Sequence, residues 1–207
     1  SNNITTYSKI DFNPLQPDKE KISIDDIAHS LSLMCRANGH IKEFFSVGQH
    51  SIYCCEEAIA RGYSNTVALA CLLHDVGHAP FSHTFEHYYG NHKDLAKQLC
   101  ELQDDNFSKD LEVHNARNSA PHEYTSAIIT HKIYGRAVEI LGGNIDLVIR
   151  MIIGCHYQDT TKQIENCFIS LLHGDVIDAD RLDYACRDVW ASGYCTSTID
   201  LNRLVSA

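Results

Sequence analysis

Residues 67–87 read VALACLLHDVGHAPFSHTFEH. The first seven residues are apolar, and they stop without a break at His74 and Asp75. Three further histidines, His78, His83 and His87, and the acid Glu86 follow within a dozen residues. A helix that is apolar on nearly every side belongs at the centre of a fold, so the imidazole and carboxylate at its end are carried inside with it. Burying such groups without partners is expensive. The stretch therefore predicts a central helix over about Ser64–Asp75, ending in groups that something must compensate.

Outward from this element the chain reads as nearly all helix. Ser23 is an N-cap for SIDDIAHSLSLMCRA, with Asp25 and Asp26 in its first turn and Gly39 closing it. A second helix runs from about Phe45 to Arg61 and stops at Gly62. Short helices are expected over Phe81–Tyr88 and Lys93–Gln103. The polar segment DDNFSKDLEVHNARNSA, residues 104–120, is expected to be a surface excursion. Pro121 then opens a helix that runs to Gly142 and Gly143. Helices near 145–157 and 166–173 follow, and a last one spans Asp175–Trp190. No hairpin signature is visible. Residues 1–22 are expected to form an irregular arm and 23–207 one helical domain. LNRLVSA at the end carries no capping signal, so the native polypeptide is expected to continue.

The chain has 207 residues, enough for one large domain with a real core. Its net charge of −10 disfavours long nucleic acid, which needs a basic face. A small phosphorylated ligand remains open if a metal and local cations hold it. The longest apolar run is too short to span a bilayer, and no signal peptide is evident. Nine cysteines without a CxxC pair read as reduced thiols in the cytoplasm.

His and Asp are the usual donors for borderline and hard divalent metals. His50, His74, Asp75 and Asp180 come from three separate helices. Taken singly each is weak: a lone histidine is more often an ordinary hydrogen-bonded residue, and an HD dipeptide occurs by chance. A second group, His78, His83, Glu86 and His122, gathers near the same helix end, with Glu86 one turn after His83. In the last helix Asp180, Tyr184 and Asp188 share a face at i, i+4 and i+8. His114, His131 and His173 read as surface residues.

HDVGHAPFSHTFE, then PHE, then DADRLDYACRD, together resemble the HD-domain phosphohydrolase superfamily, closest to its deoxynucleoside triphosphate triphosphohydrolase branch. The resemblance covers roughly residues 40–200. It implies an all-α HD-domain helical bundle with a metal site in its centre. By position it assigns His50, His74, Asp75 and Asp180 to one divalent ion (Mn, Fe, Zn, Ni or Mg). It assigns His78, His83, Glu86 and His122 to the catalytic cluster, with His83 foremost as general acid or nucleophile-assisting residue. Arg181, Tyr184 and Asp188 would contact the nucleotide. A small-molecule nucleotide substrate is thus implied, cleaved to deoxynucleoside and triphosphate. The oligomeric state stays open, a homo-oligomer included.

One position departs from that branch. The triphosphohydrolases usually carry Arg three residues before the first His, where this chain has Val47. The N-terminal half looks more like small HD-type 5′-deoxynucleotidases, in which an upstream Arg contacts phosphate; Arg36 is the matching residue. A phosphomonoesterase and a non-catalytic nucleotide-binding HD domain are therefore the competing expectations.

Overall fold

The computed structural model describes residues 4–5, 9, 11–12, 46–78, 89–114 and 119–173. The first strong helix signal in this part of the chain is Ser46. Its Oγ accepts from the Gln49 N–H at 3.1 Å, and Gln49 Oε1 accepts from the Ser46 N–H at 2.9 Å. This reciprocal cap satisfies two of the donors a helix start leaves open. It launches α1, Val47–Ala60. α1 ends at Arg61, with Gly62 at φ +77 as the left-handed residue.

The apolar run becomes α2, Asn65–Leu73, with Val67, Ala68, Ala70, Cys71 and Leu73 buried. It packs against α1 on one side and α7 on the other, as its all-round hydrophobicity predicts. α3 is His92–Cys100, capped by Asn91. α4 is Asp105–His114 and α5 is Pro121–Ile129. A π-helical turn, Thr130–Tyr134, separates α5 from α6, Gly135–Ile140. α7, Ile145–Ile153, is capped by Asn144, and every residue from Leu147 to Ile153 is buried. After a 3-10 turn at Thr160–Lys162, α8 spans Gln163–Leu172 and lies on α7. No helix among the described residues is long and apolar enough to cross a membrane.

Three sequence expectations are corrected. Residues 104–120 are not simply a surface excursion: they contain α4. Asp104 Oδ1 accepts from the Phe107 N–H at 2.8 Å, and Phe107 and Leu111, one turn apart, face the core at 0% and 3% exposure. Burying each contributes about 1.5–3 kcal/mol, which outweighs the polar character of the rest. The helix opened by Pro121 is interrupted by the π turn, so Gly135 begins a new segment. In the arm expected to be irregular, Ile4–Thr5 pairs antiparallel with Asp11–Phe12. Apart from this two-residue ladder the described fold is all-α. The helices expected at 23–38, 81–88 and 175–190 lie outside the described residues.

Candidate metal centre

α1 and α2 pack side by side, and each brings one buried histidine to the contact. His50 is fully buried and His74 nearly so. Their Nε2 atoms face each other at 3.2 Å, with the rings edge-on at 76°. His74 Nδ1 lies 2.7 Å from the Cys71 carbonyl, which can only accept, so Nδ1 carries the proton. With Nδ1 held by a backbone group, as in ligating imidazoles commonly, Nε2 is the nitrogen left to face His50 and an ion. Cys54 Sγ stands 3.8 Å from His50 Nδ1 and 4.0 Å from its Nε2.

The helix ends at His74, and the chain tightens into a turn. Val76 N–H donates to Leu73 O at 3.2 Å and His78 N–H to Asp75 O at 3.0 Å. In this turn the adjacent His74 and Asp75 border one site. Asp75 Oδ2 lies 3.5 Å from His74 Nε2, and its other oxygen lies 3.8 Å from His78 Nε2. One atom each of His50, His74 and Asp75 falls within a 4.8 Å cluster. Two nitrogens about 2.1 Å from a common ion and 90–110° apart would stand roughly 3.0–3.4 Å from each other. The 3.2 Å separation of the two Nε2 atoms fits that requirement.

On the other side of Asp75, His78 and His122 stack with centroids 4.3 Å apart and planes 6° from parallel. With Asp75 they form a second cluster of potential ligands. An imidazole binds a cation in its own plane, and parallel planes share no point. The pair is therefore poorly shaped for gripping one ion. Two stacked rings offering N–H groups side by side suit an oxyanion instead.

Gly77 brings this pair together. Its N–H donates to Ser126 Oγ at 2.9 Å, and its carbonyl accepts from Tyr89 Oη at 2.6 Å. A Cβ there would meet the backbone of α5, 2.8 Å from the Thr125 carbonyl carbon, and Ser126 Oγ at 2.9 Å. The turn thus touches α5 one helical turn after His122, which is why His78 can stack on His122. Gly77→Ala is expected to destabilise the chain by about 2–3 kcal/mol through overpacking, read as a lower urea midpoint with unchanged slope.

Of the sequence-predicted site residues, His50, His74, Asp75, His78 and His122 converge. His83, Glu86, Asp180, Arg36, Arg181, Tyr184 and Asp188 lie outside the described residues. Val47, at the position of the missing Arg, is buried in the core at 5% exposure.

The sequence reading of His114 is corrected: it is half-buried, with Nε2 2.9 Å from Ser119 Oγ. His131 and His173 are half-buried too, and His173 Nδ1 lies 3.4 Å from Glu123 Oε1. Burial first, and then the nearby His173 and His156, push the His114 pKa down from 6.5 to about 4. The unfolded chain therefore takes up this proton first as pH falls. Stability should decline between about pH 6.5 and pH 4, with no penalty above that window. His114→Gln keeps an N–H donor and removes the titration. Urea midpoints at pH 7 and 4.5 should differ less in that variant than in the wild type.

Arg150 was not legible as a key residue. It is 1% exposed. Its Nε donates to both oxygens of Asp146 at 3.0 and 3.1 Å, and a terminal nitrogen donates to Asp110 at 2.8 Å. The guanidinium lies 3.9 Å from the Tyr157 ring centroid and 5.0 Å from that of Phe107. Burial opposes its charge, but Asp146 and Asp110 more than offset that and hold its pKa above the ordinary range. The available signal was an Arg four residues after an Asp inside IDLVIRMII.

A family profile described as the HD domain matches residues 27–185. An uncharacterized protein of Mycoplasma genitalium, MG461, is 30% identical over 141 residues, covering 68% of this chain and 28% of its own length. The uncharacterized YfdR of Escherichia coli K12 is 37% identical over 76 residues, covering 37% of this chain and 40% of its own. The uncharacterized YwfO of Bacillus subtilis is 26% identical over 141 residues, covering 66% of this chain and 24% of its own. The chain thus spans well under half the length of these relatives. No solved structure matches it significantly.

Proposed function

The chain belongs to the HD domain family, and from that premise we propose that it is a metal-dependent phosphohydrolase acting on a nucleotide, foremost a deoxynucleoside triphosphate. One observation carries the reading: Asp75 stands between two histidine pairs of different shape. His50 and His74 face each other at 3.2 Å, as two ligands of one ion would. His78 and His122 stack in parallel, as two donors to a phosphoryl group would.

In this proposal His50, His74 and Asp75 hold the divalent ion, with Asp180 as the fourth ligand. Its identity stays open among Mn, Fe, Zn, Ni and Mg. A bound divalent ion polarises a phosphoryl oxygen and makes a water easier to ionise near neutral pH. The His78–His122 pair meets the charge that spreads over the phosphoryl oxygens during transfer. Following the resemblance, His83 protonates the leaving oxygen and Glu86 orients it. Arg36, Arg181, Tyr184 and Asp188 contact the nucleotide. The free thiols Cys54, Cys55, Cys71, Cys100, Cys155 and Cys167 support a cytoplasmic setting.

The buried Val47 favours a second reading. Valine supplies no cation at that position, so a shorter phosphate chain, as in a 5′-deoxynucleotidase, is the alternative. Incubating the Mn-loaded protein with a panel of dNTPs and dNMPs separates the two by product. Inorganic triphosphate from a dNTP supports the first reading, and orthophosphate from a dNMP the second. Metal binding without turnover on either class would sink both and leave a nucleotide-binding domain.

A further inference from the structure

His122 reaches the site from a helix whose start is held from a distance. Ser119 lies three residues before it and is 1% exposed. Its Oγ donates to the Ile153 carbonyl at 2.6 Å. Ile153 is the last residue of α7, so this carbonyl is one of those a helix end leaves unpaired. The serine hydroxyl has one proton, and it is committed to Ile153. His114 Nε2, 2.9 Å from the same oxygen, must therefore be the donor. A directed chain results, His114 to Ser119 to Ile153, joining the ends of α4 and α7 to the segment before α5.

The next two residues are also fixed. The Ala120 N–H donates to Glu123 Oε2 at 2.5 Å, and Pro121 presets φ at the first helical position. His122 follows immediately and stacks on His78. A Ser–His pair could suggest a nucleophile, but the proton of Ser119 already faces a carbonyl and the group is enclosed.

We propose that Ser119 is a positioning residue: by anchoring the start of α5 to the end of α7, it sets the His122 ring parallel to His78 beside Asp75. The proposal rests on the functional reading above only for what that ring then does. Removing Oγ takes from the Ile153 carbonyl the hydroxyl donor that ties it to the start of α5. The start of α5 is then free to shift, while α1 and α2, which carry His50 and His74, are not touched.

The test uses the full chain with ring-labelled histidines, metal-free, with the His122 signal assigned by its loss in His122→Gln. In Ser119→Ala the ring signals of His122 and His78 should move while those of His50 and His74 stay. Ser119→Thr, which keeps the hydroxyl, should restore them. An unmoved His122 signal, or equal movement of all four rings, overturns the proposal. If Ser119→Ala does not fold, Ser119→Cys takes its place: it fills the same space with a much weaker donor to the Ile153 carbonyl, and the same displacement of the His122 and His78 signals is required of it. The second readout is inorganic tripolyphosphate binding to the metal-loaded protein by calorimetry. Ser119→Ala should weaken it about tenfold, since small misplacements at such sites are costly. Ser119→Ala/His122→Gln should be no weaker than His122→Gln alone; additive losses overturn the proposal. Failure of the wild type to bind tripolyphosphate would count against the functional reading, and the ring signals, which need no ligand, would still decide the role of Ser119.

Discussion

Asp75→Asn is expected to abolish metal-dependent hydrolysis, by about 10³-fold or more, the upper range for losing a charge-stabilising group. The residue is 6% exposed. Its two oxygens face His74 at 3.5 Å and His78 at 3.8 Å, so one substitution removes the only carboxylate of both described clusters. The effect on the fold should be opposite in character. Without an ion, a buried carboxylate is costly to hold in its charged form, and the isosteric amide removes that cost. The metal-free variant should therefore melt no lower than the metal-free wild type. Adding Mn at a hundred times its dissociation constant should stabilise the wild type by about 2.7 kcal/mol and leave the variant unmoved. Melting curves with and without chelator, together with metal content by mass spectrometry, check both halves. Turnover surviving in Asp75→Asn would remove the proposed centre.

Arg150→Met should destabilise the chain by about 3–5 kcal/mol. That is the usual range for stranding one side of a buried ion pair. Asp110, 7% exposed, would lose its 2.8 Å partner and keep only the Gln158 N–H at 3.1 Å. Asp146 would retain the Tyr157 hydroxyl at 2.7 Å. Most of the penalty is thus an uncompensated charge at Asp110 rather than lost packing, since methionine replaces much of the volume. Adding Asp110→Asn to Arg150→Met should recover more than about 1 kcal/mol, whereas two independent sites would show simple additivity. Urea denaturation of the wild type, both single variants and the pair completes the cycle. A cost below about 1 kcal/mol for Arg150→Met would mean that the network is not what holds α4 to α7.

Helix α2 and the end of α1 are written in local spacing. An apolar run on all faces can only be central, and a glycine after Arg61 can take the left-handed conformation that closes a helix. The HD pair and the histidines after it were legible for the same reason, because neighbours in sequence fix what a helix end must carry. α4 was missed because two core residues one turn apart, Phe107 and Leu111, are hidden among the twelve polar residues of 104–120. Only their burial reveals which face counts.

What the sequence alone determined was therefore the identity of the elements and the residue types offered at the end of the central helix. Tertiary structure decided how those groups face one another. His50 and His74 are 24 residues apart and meet at 3.2 Å. Asp110 and Arg150 are 40 apart and form a buried ion pair. His78 stacks flat on His122 because a glycine lets two backbones touch. Periodicity encodes which side of one helix is apolar, but the angle and distance between side chains on different helices are set by how all the intervening volumes pack.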